Sequence, residues 1–389
     1  MIFIGIDIAK YKHCACVNNP ITGELLVEPF FFKNNKDGFS DLLSSIKPYK
    51  NFLIGLEDTG HYGNNLIDFL RANDFKVALI NPRLTKMYRN ALGWTAKNDK
   101  KDSILITKVL MDKDNYRLLS DKDLIMSELK EITRRYHDGQ EDINRFKNRL
   151  QKAIDIVFPE YNKLFGSPYG IVYNRLLESF GSADNIANTD IRTLRKAFRI
   201  EGKGRRISLT AEALKESAKN SIGINSEATV LEIKRLLDTI KVLESYSIQY
   251  QDKIKELSLK LNSPIISIPG ISHITGMTIL AEIGDIHNFD HARNLVSFAG
   301  VAPYVVQSGE YTAPKTSITK KGSSYLRKAL YQCSLTVITN NPVFHKYYTL
   351  KISEGKSHFG AKSHVVRKLI RIIYHLLTNN IKFNEKQLI

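Results

Sequence analysis

Short apolar runs alternate with segments of helical spacing along the first part of the chain. The opening run, 2–10, is β-branched and short, which is typical of a buried strand. Strands that alternate with helices predict an α/β layer, and the second and third strands follow tight turns as in an antiparallel meander. The predicted strands are 2–10, 13–17, 24–30, 52–56 and 76–80, and the predicted helices are 38–47 and 66–71.

Two long segments in the middle of the chain, 125–157 and 233–261, carry apolar residues at steps of three and four. This spacing predicts two long helices with a coiled-coil seam, interrupted at Gly139 in the first and polar at Ser247 in the second. Because the two helices have similar lengths, we expect them to form an antiparallel arm or a dimerisation element. Between them lies a small helical region with a basic loop at 199–206.

The C-terminal part contains a turn and two basic helices. Residues 268–276 have the form of a helix–hairpin–helix turn, in which Gly270 would let backbone amides approach a phosphate. As a lone hairpin this is a weak signal, because Pro-Gly turns between helices are common. Residues 324–330 and 364–371 predict cationic amphipathic helices.

The charge balance favours a polyanionic partner. Lys and Arg number 57 against 40 Asp and Glu, which gives a net charge of +17; membrane surfaces also attract cations, so charge alone does not choose the partner. The longest apolar runs are too short to span a bilayer, and the first segment predicts a strand and not a signal peptide. Three cysteines without a second metal-binding pair argue against disulfides and zinc. We expect a protein of the reducing cytoplasm with no membrane partner.

Four acidic residues stand where the predicted elements could bring them together. Asp7 lies within the first strand, Glu57 ends a later strand, and Asp99 and Asp102 would share one face of a helix over 98–111. Each acid alone has a structural explanation, such as an ion pair or the charge preference of a helix N-terminus. Together in a basic protein they predict a site for Mg²⁺, with Mn²⁺ as a substitute, and phosphodiester chemistry on nucleic acid.

Glycine and basic side chains outside this acid group are candidate nucleic-acid contacts. They lie in the middle loop, the hairpin turn and the two C-terminal basic segments. For the middle loop at 199–206, an exposed charge run is the more common explanation. The candidates are Lys203, Arg205, Arg206, Gly270, Lys320, Lys321, Arg327, Arg367, Lys368 and Arg371.

Motifs in both halves of the chain resemble one family. The chain is similar to the DEDD transposases of the insertion sequence 110 family, which includes the pilin-gene inverting recombinase. The sequence has Asn98 and Ser103 where the family more often has Thr and Ala, and neither is a proposed ligand. The matching motifs are Gly5-Ile6-Asp7-Ile8-Ala9-Lys10, Glu57-x-Thr59-Gly60, Asn81-Pro82, Lys97 to Ser103, Ile268-Pro269-Gly270-Ile271, Leu280 to Asp285, Ala299 to Pro303, Ser308-Gly309 and Gly322-x-x-x-Leu326-Arg327.

The resemblance implies a three-part architecture and a chemistry. We expect an α/β RNase H-like (RuvC-like) catalytic domain at 1–118, a coiled-coil arm with a helical insertion at 119–262, and a mainly α C-terminal transposase domain at 263–389. The family's acid quartet works with a serine nucleophile, which the motif places at Ser308. The family also implies a noncoding bridge RNA that pairs with donor and target DNA. We expect a prokaryotic protein that forms a dimer or tetramer through the arm of the two long helices.

Three alternatives remain open at the level of sequence. A RuvC-type resolvase would use the four acids and water, without Ser308 or the C-terminal domain. A sugar-kinase or actin-like ATPase also begins with Gly-Ile-Asp, but it needs a glycine-rich phosphate loop that residues 8–10 do not supply. A non-catalytic nucleic-acid-binding protein would explain the charge and leave the carboxylates without a role.

Overall fold

The computed structural model describes residues 1–57, 61–94, 98–199, 208–304, 307–308, 311–312 and 317–385. The chain divides into two compact units, Met1–Leu124 and Ile125–Ile389. The predicted division into three domains stays a prediction. Within the described ranges, no helix is both long enough and apolar enough to cross a membrane.

The N-terminal unit is built on a six-stranded mixed sheet with the order β3-β2-β1-β4-β5-β6. Strands β1, β4 and β5 are parallel to one another, whereas β2, β3 and β6 pair antiparallel with their neighbours. The predicted strands and helices are present, but β1 ends at Asp7, so residues 8–10 lie outside the predicted first strand. Strand β6 and helix α3 are additions. The elements are β1 (Ile2–Asp7), β2 (Lys12–Asn18), β3 (Leu25–Lys33), α1 (Lys36–Ile46), β4 (Phe52–Glu57), α2 (Asn64–Ala72), β5 (Val77–Ile80), α3 (Pro82–Ala91), α4 (Asp99–Val109) and β6 (Tyr116–Leu118).

Helix α4 lies directly on one face of this sheet. At Gly5 of β1 the helix backbone comes so close that an added Cβ would lie 2.1 Å from the carbonyl oxygen of Ser103 and 2.8 Å from Cγ2 of Thr107. At Gly55 of β4 an added Cβ would lie 2.8 Å from Cδ1 of Leu110. Two glycines on adjacent strands therefore set how closely α4 approaches the sheet.

Replacing Gly5 by Ala is expected to lower the free energy of unfolding by about 1–3 kcal/mol, because α4 must move or the new methyl group must overlap Ser103. Gly139→Ala is the matched control, since an added Cβ there meets no atom within 4 Å. That helix substitution should instead stabilise the protein by about 0.5–1 kcal/mol. Urea denaturation of both variants measures the difference. A Gly5→Ala protein as stable as the wild type would contradict the tight packing of α4 on β1.

The C-terminal unit is mostly helical. Its only described strands are short and form two two-stranded ladders. The elements are α5 (Asp121–Val157, which begins in the first unit), α6 (Ile171–Ser179), α7 (Ala183–Asn188), α8 (Ile191–Ala197), α9 (Ala211–Lys219), α10 (Glu227–Leu261), α11 (His273–Ile283), α12 (Ala292–Phe298), β7 (Pro303–Tyr304), β8 (Gln307–Ser308), β9 (Tyr311–Thr312), β10 (Ser317–Ile318), α13 (Ser324–Asn340), α14 (Pro342–Ser353) and α15 (His358–Asn379).

The two long helices α5 and α10 run antiparallel, and side chains join them from Glu128–Lys253 to Arg149–Glu232. Gln140 donates a hydrogen bond to Ser247 at 2.6 Å, so the polar position in the second predicted seam has a partner. Ion pairs at either side, such as Lys147 with Glu244 at 2.7 Å, join the same two helices. The predicted antiparallel pairing is present, and coiled-coil packing along the whole arm stays a prediction.

The buried stripe of α5 differs from the predicted seam in its N-terminal half. Thr133 and His137 are buried, whereas the predicted seam residues Ile132 and Tyr136 are half-buried. The reason is a second neighbour: His137 Nε2 lies 3.1 Å from the hydroxyl of Thr278 on α11. A helix that packs against two partners buries a wider stripe than a two-helix seam requires, and part of that stripe is polar.

The predicted helix–hairpin–helix turn begins from a 3₁₀ segment, Pro264–Ser267, and leads into α11. Gly270 has a φ of +95°, and an added Cβ would lie 2.6 Å from the carbonyl oxygen of Thr336 on α13. This close approach gives Gly270 a packing role within the unit. Its predicted contact with a phosphate stays a prediction.

Candidate active site

Asp7 and Glu57 end neighbouring parallel strands at the same edge of the sheet. The last paired residues of β1 and β4 are Ile6 and Leu56, and the two acids follow them directly. Side chains alternate along a strand, so both acids lie on the sheet face of Gly5 and Gly55, which α4 covers. The prediction that two strands deliver carboxylates to one location therefore agrees with the register.

The N-terminal end of α4 lies over the same edge. Asp7 is paired across the sheet with Cys14 of β2, and Cys14 Sγ lies 3.8 Å from the hydroxyl of Ser103. Burial raises the pKa of the Cys14 thiol, and the nearby charges of Asp7 and Asp99 add to the shift. Two of the predicted acids, one from a strand and one from the helix, are therefore both close to Cys14.

Asp99 and Asp102 lie in the first turn of α4, as predicted. Asn98 caps the helix, and its side chain accepts a hydrogen bond from the Lys100 amide at 2.9 Å. Acidic residues in a first turn are also favoured by the helix dipole. Asp102 differs from Asp99 because its side chain is almost completely buried, with 4% of its surface exposed.

Helix α3 holds two of the four acids through side chains one turn apart. Thr85 donates a hydrogen bond from its hydroxyl to Glu57. Arg89 Nη2 lies 2.8 Å from Asp102 Oδ1, and both groups are largely buried. Because residues four apart share a helix face, one side of α3 orients a strand carboxylate and a helix carboxylate together.

The donor chemistry of this edge suits a hard divalent cation. Asp102 Oδ1 is held by Arg89, while Asp102 Oδ2 is buried and has no hydrogen-bond partner among the described residues. An oriented carboxylate oxygen that is buried and unsatisfied fits a ligand of Mg²⁺. Within the described ranges, no three His, Cys, Asp or Glu side chains are grouped closely enough to hold one ion. The residues thus fit the chemistry of a metal site, and their convergence on a shared ion stays a prediction.

Ser308 belongs to the C-terminal unit and lies on β8. This strand pairs antiparallel with β9, and Ser308 lies opposite Tyr311. The strands that precede and follow this pair in the sequence, β7 and β10, pair with each other. The predicted nucleophile is therefore carried on the inner of two nested ladders. Its role stays a prediction.

The base of these ladders is fixed by α13 and two glycines. Arg327 donates from Nη1 to the carbonyl oxygens of Ala299 at 3.4 Å and Lys320 at 3.3 Å. Gly300 and Gly322 both have positive φ, and an added Cβ at Gly322 would lie 1.9 Å from the carbonyl oxygen of Phe298. Arg327 and these glycines therefore hold together the segments at 298–300 and 320–322, which flank the ladders that carry Ser308.

A buried carboxylate anchors the helix that follows. Glu282 of α11 is 2% exposed and accepts hydrogen bonds from Arg134 Nε at 2.6 Å and from the hydroxyl of Ser323 at 2.7 Å. Burial opposes ionisation of Glu282, but these two donors outweigh it and hold the pKa of the carboxyl below its usual range. Ser323 caps α13, so the Arg134–Glu282–Ser323 cluster fixes the start of the helix that holds the ladders.

Glu282→Gln is expected to destabilise the C-terminal unit by about 2 kcal/mol, because charge-assisted hydrogen bonds to Arg134 and Ser323 are weakened together. Glu131→Gln is the control, since its pair with Arg135 is exposed on both sides and should change stability by less than about 0.5 kcal/mol. Denaturant unfolding followed by circular dichroism measures both. Equal effects in the two variants would contradict the anchoring role of Glu282.

The predicted nucleic-acid contacts occupy different surroundings. Lys203, Arg205 and Arg206 lie outside the described residues. Lys320, Lys321 and Arg371 are exposed, and Arg367 is half-buried. Lys368 lies 4.7 Å from the centre of the Tyr347 ring, and burial lowers its pKa. All of these contacts stay predictions.

Sequence reasoning missed the residues that orient the acids and the ladders. Thr85 and Arg89 have the spacing of one helix face, four residues apart after the Asn81-Pro82 helix start. That signal was available, but the partners of a helix face cannot be read from spacing alone. Arg134 and Glu282 are 148 residues apart in sequence, and no local pattern joins them.

Two family models match separate segments of the chain, and the first segment runs from the N-terminal unit into helix α5 of the second. The model for DEDD transposases of IS110, described as "Transposase", matches residues 4–159. The model described as "Transposase IS116/IS110/IS902 family" matches residues 262–349. The matched segments contain all four acids and Ser308.

Curated relatives match along almost the full length. The chain is 25% identical to the pilin gene-inverting protein of Moraxella lacunata, over 99% of this chain and 98% of that protein. It is 22% identical to the mini-circle putative transposase for IS117 of Streptomyces coelicolor, over 99% and 96%. Among solved structures, T. thermophilus RuvC in complex with a Holliday junction substrate covers 31% of this chain and 99% of that chain, with 14% identity and a TM-score of 0.24.

Proposed function

This chain belongs to the IS110 family of transposases, and we propose that it cuts and rejoins DNA with a Mg²⁺-binding carboxylate site and the serine nucleophile Ser308. The observation that carries the proposal is the shared sheet edge. Asp7 and Glu57 lie side by side in register, and α4 packs on the sheet face that carries them. Asp102 of α4 has one buried carboxylate oxygen without a partner among the described residues. Asp99 completes the acid set at the first turn of the same helix.

The strand order supports an RNase H-like N-terminal domain. The first five strands have the order 3-2-1-4-5, and only the second runs against the parallel strands and the third. The resemblance to the DEDD transposases implies that an acid quartet forms the cation site of this domain. The positions of Asp7, Glu57 and α4 agree with this arrangement.

The chain's own residues supply the nucleophile and orient the carboxylates. When bound, Mg²⁺ (or Mn²⁺) would polarise the phosphate and stabilise the leaving oxygen. The Ser308 Oγ forms a bond to phosphorus while the bond from phosphorus to the 3′-oxygen breaks. The serine proton leaves to solvent and the 3′-oxygen takes up a proton. The products are a phosphoserine-linked DNA end and a free 3′-hydroxyl, whose later attack on that phosphate rejoins DNA without ATP.

Arg89 and Thr85 orient the carboxylates during this step. Arg89 fixes Asp102 Oδ1 and leaves Oδ2 for the cation, and Thr85 restrains Glu57. Arg327 and the Arg134–Glu282–Ser323 cluster hold the base of the ladders that carry Ser308. These are positioning residues, because none of them touches the reacting atoms in the proposed step.

The proposal also includes a guide RNA and an oligomeric state. The family resemblance implies a noncoding bridge RNA that selects donor and target DNA, and the net charge of +17 supports a nucleic-acid partner. The antiparallel α5–α10 pair supports a coiled-coil arm through which a dimer or tetramer forms. The helix–hairpin–helix contact of Gly270 and a cytoplasmic location belong to the same proposal.

Removal of divalent cations tests whether cleavage depends on a metal ion. Incubation of the protein, guide RNA and donor and target DNA with EDTA is expected to stop strand cleavage, and added Mg²⁺ or Mn²⁺ should restore it. Binding of the nucleic acids should persist in EDTA. Cleavage at full rate in excess EDTA would contradict a carboxylate–metal site.

Binding affinity is expected to fall steeply with salt, because each neutralised phosphate of duplex DNA releases counterions, with a log–log slope of about −0.9 per contact. Lys320→Gln should make this slope shallower by roughly one contact. Lys219→Gln on α9 is the control, as an exposed lysine outside the predicted contacts. Fluorescence anisotropy across a salt series measures the slopes, and an unchanged slope in Lys320→Gln removes that residue from the DNA interface.

A further inference from the structure

Phe31, Lys12, Lys33 and Lys100 form a lysine–aromatic surface beside the proposed carboxylate site. Asp7 is paired with Cys14, and Cys14 is paired with Phe31 on the edge strand β3. Residues paired across strands share a face, so Phe31 lies on the face that carries Asp7. With strands about 4.8 Å apart, Phe31 is two strands and roughly 10 Å from Asp7.

Phe31 is exposed between two ammonium groups. Its side chain is 42% exposed, although it is a large apolar residue. Lys12 Nζ lies 4.2 Å from the centre of the ring, and Lys100 Nζ lies 5.9 Å from it. Lys100 follows Asp99 on α4, so the surface and the acid group share a helix turn. Lys33, paired with Lys12, is a third exposed cation on this face.

The chain next to this surface is fixed by hydrogen bonds. Asn34 donates from its side chain to the Lys10 carbonyl oxygen at 3.2 Å and from its backbone amide to the Tyr11 carbonyl oxygen at 2.9 Å. The Ala9 amide donates to Nδ1 of the buried His13 at 3.2 Å. The segment that leads from β1 into β2 is therefore held in place, and Lys12 approaches Phe31 from a defined backbone.

An exposed ring flanked by lysines has the chemistry of a single-strand binding site. Bases stack on aromatic faces without sequence preference, and neighbouring cations hold the phosphates. A protective role for edge lysines, which discourage pairing with other chains, explains Lys33 on the edge strand β3 but not Lys12 on the interior strand β2. It does not explain an exposed phenyl ring at the same position.

We propose that Phe31, with Lys12, Lys33 and Lys100, binds an unpaired nucleotide of the DNA strand beside the scissile phosphate. At 3.4 Å per nucleotide of a stacked strand, roughly 10 Å corresponds to about three nucleotides from the carboxylates. The proposal rests on the proposed function, because it takes the carboxylate edge as the point of cleavage. The base stacks on Phe31, and the lysines hold the adjoining phosphates. This contact keeps the cut strand aligned before and after cleavage.

The test is binding and crosslinking of single-stranded DNA by the full-length protein in EDTA. The probe is a fluorescein-labelled 15-mer of thymidine, with some thymines replaced by 5-iodouracil for photocrosslinking to stacked rings. Phe31→Ala is expected to weaken binding roughly 5- to 150-fold, the range measured when one base-stacking ring is removed. Phe31→Tyr should retain binding within about twofold, because it keeps the ring. Lys12→Gln should make the salt slope shallower by about 0.7.

The matched control is Leu26→Ala, on the same strand with 36% of the side chain exposed but at the opposite end. It should bind and crosslink like the wild type. Mass spectrometry of the wild-type crosslink should identify the peptide that contains Phe31, and Phe31→Ala should lose that product.

Three results would overturn the proposal. The first is binding by Phe31→Ala within twofold of wild type together with an unchanged crosslinked peptide. The second is an equal loss in Leu26→Ala, and the third is a Phe31 dependence seen with a uridine 15-mer RNA but not with the DNA. None of these measurements needs metal, Asp102 or Ser308, so failure here leaves the cleavage proposal to be judged by its own variants.

Discussion

Asp102→Asn is expected to abolish strand cleavage and recombination while leaving nucleic-acid binding in place. The substitution keeps the shape of the side chain and removes the charge of the buried oxygen Oδ2, which lacks a hydrogen-bond partner among the described residues. Loss of residues that merely support a metal ligand typically costs 10- to 100-fold, so loss of the ligand itself should cost at least about 100-fold. Cleavage of labelled donor DNA with guide RNA and Mg²⁺ measures the effect.

The buried pair with Arg89 requires a stability control. Removing the charge of Asp102 leaves the largely buried Arg89 without its counterion, which typically costs about 3–5 kcal/mol for a buried pair. Asp7→Asn is the second variant, since it tests the same site from β1. Asp41→Asn, an exposed acid on α1, is the matched control and should recombine normally. Full recombination by either Asp7→Asn or Asp102→Asn would refute the metal site.

Ser308→Ala is expected to lose covalent protein–DNA adducts and strand exchange completely, while it keeps the fold and RNA binding. An alanine has no hydroxyl, so the phosphoserine intermediate cannot form. Ser317→Ala is the matched control, because Ser317 is exposed on β10 in the outer ladder and should leave activity unchanged. Gel shifts that are resistant to denaturant and sensitive to protease report the adduct. Normal strand exchange by Ser308→Ala would exclude it as the nucleophile.

Mixed oligomers distinguish two ways of assembling the site. Ser308 is far in sequence from the carboxylates, so the proposed attack requires it to dock over them, either within one chain or across a dimer. A mixture of Ser308→Ala and Asp102→Asn subunits should regain part of the activity if the serine acts in trans. No recovery at any mixing ratio indicates that each chain supplies both parts of its own site.

The N-terminal sheet could be predicted from sequence because its strands are continuous apolar runs and its acids stand at their ends. Ile2 to Asp7 and Phe52 to Glu57 each have a buried interior and a carboxylate at the carboxyl end. The sequence predicts Glu57 at a strand end, whereas it places Asp7 within a longer strand, because the apolar pattern continues through Ile8 and Ala9. Strand β6 was missed because it has three residues, none of them buried. So short a segment has no periodicity to detect.

The polar contacts that orient the site could not be predicted, for a physical reason. Arg89 and Asp102 pair because α3 and α4 pack together, and Arg134 reaches Glu282 because α5 packs on α11. Thr133 and His137 lie on the same part of α5 and are buried, although the apolar pattern of α5 predicts that these two polar residues are exposed. Periodicity identifies which face of an element is buried, whereas charged and polar pairs depend on which element covers that face.

The most direct measurement of the central claim is mass spectrometry of the DNA–protein adduct. Wild-type protein is incubated with donor DNA, guide RNA and Mg²⁺, quenched with denaturant, and digested with protease and nuclease. The account predicts a peptide that contains Ser308 with a nucleotide attached through a phosphodiester bond, and no such peptide from Asp102→Asn or Ser308→Ala. Cleaved DNA with a free 5′-phosphate and no peptide adduct would contradict the account and favour water as the nucleophile.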